Sequence, residues 1–435
     1  MSRYRPTRRT FLKGAAAAAA AAPYVVPAAV LGKGAPSQAI TMGCIGVGRQ
    51  GSGDMRGFLD RVRILAVCDV DAHRAQNAKQ TVERHYAERL GKGAYKGCDA
   101  YGDFRDLVAR RDIDTCLVVT PDHWHVIPAL AAARHRKDMY VEKPLTLTIA
   151  EGRVLADTVR RYGVVLQVGS QQRSDGRFRF ACELARNGRV GKIHTVTVGI
   201  GTDPGCPPQP VMPVPKGLDY DFWLGPAPWA PYTERRVHPQ QGYGRPGWLR
   251  IEAYSGGMMT GWGSHHNDIA QWGLGTEYTG PVEFKGEGEF PQDGLWDVHG
   301  RFRVEGRYAS GVRLIITSQA PNGVKFEGSD GWVFVTRGRI DAEPKSLLAE
   351  KIGPNEVHLY RSHDHKGNFV DCVRTRRDPI ASVEIGHRSA TICHLANIAL
   401  WLGRPLRWNP DEEHFVDDPG ADRMMERSTR SPWTL

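Results

Sequence analysis

Between Ile40 and Val141, short apolar runs alternate with stretches of helical periodicity. Ile40–Gly48 (ITMGCIGVG), Val62–Val70 (VRILAVCDV) and Asp114–Asp122 (DTCLVVTPD) are near-continuous apolar runs, and Asp138–Glu142 (DMYVE) is a fourth. His125–Arg136 (HVIPALAAARHR) places its apolar residues at helical spacing. Strands without polar alternation are buried on both faces, so this pattern predicts a parallel, doubly wound sheet covered by helices. Thr148–Tyr162 then reads as a helix, Val164–Val168 as a strand, and Phe178–Lys192 as a helix ending at Gly188. From His194 onward the period falls to two, in HTVTVGI, PVEFKGEGEF, VHGRFRVE, GVRLIITSQ and GWVFVTRG, which predicts a largely antiparallel sheet. A Pro-, Gly- and Trp-rich stretch, Asp203–Trp248, interrupts it and predicts a long loop over a site. Arg388–Gly403 reads as a late helix.

Residues 1–33 have a different character. TRRTFLK (Thr7–Lys13) is a twin-arginine signature, followed by the alanine run Ala15–Ala22 and small residues suited to cleavage. The expectation is export by the twin-arginine machinery to the periplasm. This segment also distorts the formal charge of +10: it holds six of the 58 basic residues and no acid, so the rest of the chain is close to balanced. No basic run interleaved with aromatics occurs, so nucleic acid is not an expected partner. The eight cysteines form no C-x-x-C pair, and Cys44, Cys68 and Cys116 lie inside apolar runs, where a free thiol packs as a small hydrophobe. A protein exported already folded needs no disulfide framework. The HWH (His123–His125) and HDH (His363–His365) clusters fix no third ligand, so no metal is expected.

The chemistry begins after the first strand. GVGRQG (Gly46–Gly51) is G-x-G-x-x-G between a strand and a helix, and Asp69 ends the next strand. In that context Gly46 allows the tight turn, Gly48 lets backbone approach a pyrophosphate, and Gly51 permits close helix packing. The helix N-terminus offers its dipole and free N–H groups to phosphate. Asp69 would bind the adenosine ribose and repel a 2′-phosphate, which predicts NAD rather than NADP; the alternative is a turn residue beside Asp71, which can cap the next helix. The fold class is therefore α/β: an N-terminal Rossmann doubly wound parallel sheet over 38–165, behind a signal and linker at 1–37. An α+β domain over 166–435 follows, with a largely antiparallel open sheet and late helices packing back on the first domain. At the end of the strand DMYV, a glutamate, a lysine and a proline follow without a spacer (Glu142–Pro144). Burying such a pair is costly unless the groups are paired or needed.

GVGRQG, TPDHWH (Thr120–His125), EKP and GGMMTGWGSHHNDIAQWG (Gly256–Gly273) occur in this order, and together they resemble the glucose–fructose oxidoreductase / inositol dehydrogenase / MocA family. The resemblance implies bound NAD held by Gly46, Gly48, Arg49, Gln50, Gly51, Asp69, Thr120, Pro121, His125, Glu142 and Lys143. It places Lys143 beside the nicotinamide ring and the reacting hydroxyl, before a cis proline bond. The family's helix carries an Asp and, four residues on, a His; here the His is His265 and the Asp position is Gly261. His265 is then the acid/base candidate beside Lys143, and Asp268 could orient it from three residues away. Trp124, Arg173, Trp262, His266 and Asp268 complete the expected substrate set, Arg173 having a domain brace as its alternative. The expected function is an exported NAD-dependent oxidoreductase for a sugar, polyol or glycoside, redox-neutral with tightly held cofactor. An NAD-dependent glycoside hydrolase using transient oxidation and a non-catalytic sugar-binding protein retaining NAD are the alternatives. The resemblance further implies a homo-oligomer.

Overall fold

The computed structural model describes residues 39–91 and 93–435; the twin-arginine segment lies outside them. The first half alternates β1 (Thr41–Ile45), α1 (Arg49–Phe58), β2 (Arg63–Cys68), α2 (Ala72–Arg89), β3 (Asp99–Tyr101), α3 (Phe104–Val108), β4 (Thr115–Val118), α4 (Val126–Arg134), β5 (Asp138–Val141), α5 (Ile149–Tyr162) and β6 (Leu166–Val168). The sheet order is β3-β2-β1-β4-β5-β6, with every pair parallel. Every residue of β4 and β5 is buried, which explains why these strands lack alternation. The order reverses between β1 and β4, so a crevice opens at the carboxyl ends of the strands, where ligands bind in such sheets. The sheet continues through Val168, three residues beyond the boundary expected at 165, because β6 pairs with β5 in parallel.

Local signals set the helix starts. Asp71 caps α2 by accepting from the His73 and Arg74 N–H groups. Thr148 and Glu151 form a reciprocal capping box at α5, and Gly163 ends that helix with φ +63°.

The second half contains α6 (Gly176–Arg186), β7 (Ile193–Gly199), α7 (Tyr220–Leu224), α8 (Gly257–Gly261), α9 (Gly263–Leu274), β8 (Glu283–Gly288), β9 (Phe302–Arg307), β10 (Arg313–Thr317), β11 (Gly323–Gly328), β12 (Trp332–Thr336), β13 (Arg339–Glu343), α10 (His365–Thr375), α11 (Val383–Leu402), β14 (Leu406–Asn409), β15 (His414–Phe415) and α12 (Pro419–Asp422). Its nine strands run β13-β12-β11-β7-β10-β9-β8-β14-β15. Only β7 and β10 are parallel; the other pairs are antiparallel. α9 packs on β7 and β11, and α11 packs on β8 and β9 and also reaches α5. Arg153 of α5 fastens that contact, donating to Glu384 of α11 at 2.8 Å and to Glu413 at 2.9 Å. All eight cysteines are free and buried.

Candidate active site

The carboxyl ends of β1, β2, β4 and β5 line one cleft with about 1330 Å³ of open space. At its β1 wall, Gly46 has φ +80°, and a Cβ there would lie 2.5 Å from the Val119 carbonyl oxygen. A Cβ on Gly51 would lie 2.0 Å from the Gly46 oxygen, so α1 starts against the strand only because position 51 is glycine. Gly48 instead faces the cleft, with only an Arg74 nitrogen within 4 Å of a Cβ. Arg49 and Gln50 line the same wall at the N-terminus of α1.

Asp69 lies at the end of β2, lining the cleft. Its carboxylate accepts from the N–H of Val47 at 2.9 Å and of Asp71 at 3.0 Å, so backbone fixes its orientation. Burial pushes its pKa up, against those two hydrogen bonds and the charges of His238 and Arg74. The division of labour is clear: Asp71 caps α2 and Asp69 faces the cleft. Thr120 and Pro121 continue the lining after β4, and the Thr120 hydroxyl is buried with no hydrogen-bond partner among the described residues. Open backbone at Gly48, an oriented carboxylate and an unpartnered hydroxyl fit a dinucleotide.

Lys143 follows β5 and lines the cleft. Its Nζ donates to the Gly261 carbonyl at 3.2 Å, and the Lys143–Pro144 bond is cis. Glu142 does not pair with the ammonium: its carboxyl accepts from the Lys143 backbone N–H at 3.2 Å and from Gln171 Nε2 at 2.7 Å. Burial pushes Glu142 up to about 8, with the Asp54 charge adding to the effect. A Cβ at position 169 would fall 2.2 Å from Glu142 Oε1, so Gly169 makes the room for this acid. His125 ties the β4 loop to the lysine turn, with Nδ1 2.6 Å from the Pro144 oxygen and Nε2 2.9 Å from the Thr120 oxygen. Burial lowers its pKa to about 4.

His265 stands on α9, one helical turn beyond Gly261. Burial holds its pKa well below the usual histidine value, and the charges of Lys143 and Arg337 push the same way. Its Nε2 accepts from Arg337 at 3.1 Å, and its Nδ1 is buried with no hydrogen-bond partner among the described residues.

The expected substrate set divides. Arg173 and Asp268 are each 1% exposed and are not on a substrate face. Arg173 donates to both Asp268 oxygens at 2.7 and 2.8 Å and to Glu277 at 2.7 Å, and lies over the Trp272 ring at 4.9 Å. Ser389 of α11 also donates to Asp268, at 2.8 Å. Arg173 is thus the brace rather than the substrate ligand, and both Asp268 oxygens are engaged with Arg173 and Ser389 rather than with His265; among the described residues the only side chain hydrogen-bonded to that ring is Arg337. His266 is fully buried outside the cleft lining, with Nε2 3.0 Å from Asn322 Oδ1, and burial lowers its pKa to about 4. The Trp262 ring stacks with His266 at 5.4 Å and carries the Arg337 guanidinium at 4.7 Å. Trp124 belongs to the cofactor cleft, its Nε1 donating to the Trp223 carbonyl at 2.9 Å.

Three features escaped the sequence reading. Asp122, inside TPDHWH, lines the cleft and accepts from Ser255 Oγ at 2.7 Å. Burial pushes it up to about 7, against that hydrogen bond and the Lys143 charge. Arg337 comes from the turn between β12 and β13, 72 residues from its partner, and nothing local in the sequence announces the contact. The third is what the long 203–248 segment covers. It lies along the Asp69 end of the cleft: His238 Nε2 meets Asp71 at 3.0 Å, Arg74 donates to the Pro239 oxygen at 2.9 Å, and Asn77 donates to Tyr243 at 2.9 Å. Phe222, Trp223, Pro246 and Trp248 of this strap line the cleft itself.

Comparison with known proteins gives the same frame. Residues 40–170 match the family model for the NAD-binding Rossmann fold of the Gfo/Idh/MocA oxidoreductases, and residues 205–435 match that of their C-terminal alpha/beta domain. A myo-inositol 2-dehydrogenase from Thermotoga maritima is 28% identical over 185 residues, 42% of this chain and 51% of that protein. A glycosyl hydrolase family 109 protein from Shewanella pealeana is 36% identical over 125 residues, 28% of this chain and 26% of that protein. The chain thus spans about half of the first relative's length and about a quarter of the second's. Among solved structures, the WlbA dehydrogenase of Bordetella pertussis, crystallised with NADH and UDP-GlcNAcA, superposes with a TM-score of 0.63 at 19% identity over 85% of this chain and 99% of that one. The aldose-aldose oxidoreductase of Caulobacter crescentus, complexed with glycerol, gives 0.59 at 17% over 85% and 99%. With one model covering the dinucleotide half and another more than half of the chain, the protein belongs to the Gfo/Idh/MocA oxidoreductase family and carries its NAD-binding Rossmann domain.

Proposed function

We propose that the protein is an oxidoreductase for a hydroxyl of a sugar, polyol or glycoside, exported by the twin-arginine route and redox-neutral overall, with NAD retained in the cleft. The observation that carries this reading is the strap: its pins at Asp71, Arg74 and Asn77 cover the adenosine end and would have to open for nucleotide exchange. Soluble NAD is scarce outside the cytoplasm, so a cofactor loaded before export has to be regenerated in place. Bound NAD supplies the hydride acceptor and donor.

The chain supplies the rest. The Lys143 ammonium, held among the described residues only by the Gly261 carbonyl, keeps donors free to stabilise an alkoxide developing on the substrate. His265 is neutral at physiological pH and takes the hydroxyl proton. Burial favours the protonated form of Glu142, which weakens its compensation of the lysine charge.

A second reading, glycoside cleavage through transient oxidation, draws on Asp122. A ketone at C3 acidifies the C2 proton, and loss of that proton lets the C1 substituent leave. The cycle needs a second acid/base, and a buried carboxyl at about 7 lining the same cleft as Lys143 is suited to it. The glycosyl hydrolase family 109 relatives point the same way by name.

The test is to denature the protein purified from the exported fraction and identify the released nucleotide by mass, NAD being expected. Candidate glycosides are then incubated with the intact protein in deuterated water without added cofactor. Deuterium beside the oxidised carbon of a released sugar supports cleavage; equal amounts of oxidised and reduced sugars without bond cleavage support exchange. Stoichiometric accumulation of free NADH over many turnovers with added NAD rejects the redox-neutral cycle.

A further inference from the structure

Arg337 sits at the tip of the β12–β13 turn, next to Gly338 with φ +83°. The residue is exposed along its length while its guanidinium end is part-buried, donating to His265 Nε2 at 3.1 Å and lying 4.7 Å over Trp262. Among the described residues it forms no ion pair, and neither does Lys143, whose Nζ meets only the Gly261 carbonyl. The other arginine bonded to α9 behaves differently: Arg173 is matched by Asp268 and Glu277. Two unmatched cations therefore act on one imidazole. Beside them, a Cβ on Gly261 would meet nothing within 4 Å, so the space next to Lys143 is open to a substituent.

The Arg337 contact also constrains the chemistry. A guanidinium only donates, so Nε2 of His265 is the acceptor and the proton of the neutral ring is on Nδ1. A base needs a free lone pair, and in this arrangement Arg337 occupies it. A carboxylate is the better partner for a guanidinium, since it accepts two parallel charge-assisted hydrogen bonds.

Building on the oxidoreductase reading above, we propose that the substrate is a carboxylate-bearing sugar, a uronic acid or its glycoside, and that Arg337 recognises the carboxylate. Binding draws the guanidinium off His265 Nε2, and the freed lone pair then accepts the proton of the reacting hydroxyl. Recognition and activation of the base are thereby one event, and a neutral sugar leaves the base blocked.

Binding tests this independently of turnover. The intact NAD-loaded protein is titrated calorimetrically with D-glucuronate, D-galacturonate, D-glucose, D-galactose and D-glucose 6-phosphate. The expected result is that at least one uronate binds about tenfold or more tightly than its neutral counterpart, as befits a charge-assisted pair. Arg337→Gln should level the two affinities, and Arg337→Lys should keep a reduced preference. In protein labelled with ¹⁵N-histidine, the His265 Nε2 resonance should shift on adding that uronate, and the Arg337→Gln protein should show no such shift. Equal affinities, tighter binding of the phosphate, no binding of either uronate, or a preference surviving Arg337→Gln would each overturn the proposal. A uronate preference lost in Arg337→Gln, in a protein that turns over no sugar, supports the recognition proposal and counts against the oxidoreductase reading alone.

Discussion

Around the cofactor cleft, the residues that matter follow one another along the chain; on the substrate face they arrive from distant segments. Gly46–Gly51, Asp69, Thr120–His125 and Glu142–Pro144 each follow a strand of one parallel sheet, and their positions are set by backbone: a positive φ, a Cβ with no room, a carboxylate held by two N–H groups. The other face joins Lys143 of the first half to Gly261 of α8, and His265 of α9 to Arg337 of a hairpin turn. There, position depends on which charges find each other. Similar residue types then take opposite roles: Arg173 is consumed by two carboxylates in the interior, whereas Arg337 ends on an imidazole with none.

The comparison is tested most severely at the buried brace. Removing one partner of a buried, hydrogen-bonded ion pair leaves an uncompensated charge, at about 3–5 kcal/mol. Arg173→Ala should lose stability of that order in urea unfolding, and Arg173→Met with Asp268→Leu should recover most of it. A stable Arg173→Ala protein with a raised KM would return Arg173 to the substrate face.

Next in size is the chemistry. Lys143→Ala and His265→Ala should each lower turnover by about 10²-fold or more, about 2.7 kcal/mol of barrier, while the melting temperature and bound NAD are retained. If His265→Ala turns over near the wild-type rate, the base lies elsewhere, and Asp122 becomes the first residue to test.

These two predictions mark what the sequence could reveal. The parallel sheet was legible because strands buried on both faces lack alternation, and the cleft was legible because its glycines answer local steric demands at Gly46 and Gly51. Asp69 and Asp71 were separable by position, one ending the strand and one opening the helix. Arg173 and Asp268 looked like substrate groups because a charged side chain in sequence carries no sign of a partner 95 residues away. Arg337 was invisible for the same reason, and Asp122 because its chemistry comes from burial, which TPDHWH does not encode. The strap was recognisable as a long loop, but its pins at Asp71, Arg74 and Asn77 exist only after folding.

Asp122 stands where the two regions meet, following β4 and bonded to Ser255 of the second half. Folding raises its pKa from the ordinary 3.8 to about 7, so the unfolded chain releases this proton first. Between those values the folded state holds the extra proton, and stability falls as pH rises. At up to 1.36 kcal/mol per pH unit, the stability difference between wild type and Asp122→Asn should change by about 2 kcal/mol from pH 5 to pH 7 in favour of the variant, then level off. Urea titrations at pH 5, 7 and 8 read this directly. An unchanged difference would mean that Asp122 is already ionised in the folded protein and belongs with the polar cofactor wall.

The smallest expected effect lies in the region the sequence described best. Asp69 presents a negative charge, oriented by the Val47 and Asp71 N–H groups, at the end of β2 where a dinucleotide-binding sheet meets the adenosine ribose. A 2′-phosphate would meet that charge directly. Arg74, whose charge acts on Asp69, is engaged: it sits 3.6 Å from Asp71, donates to the Pro239 carbonyl and lies over Tyr243 at 4.9 Å. Asp69→Ala should therefore remove the repulsion without supplying a strong new phosphate ligand. The preference for NAD over NADP in binding should fall by about tenfold, about 1.4 kcal/mol, without inverting. Competitive loading of the nucleotide-free variant, with the bound nucleotide identified by mass after denaturation, measures the ratio. A full inversion to NADP would show that Arg74 leaves the strap to take the phosphate, and that the pins over the adenosine end yield more easily than their hydrogen bonds indicate.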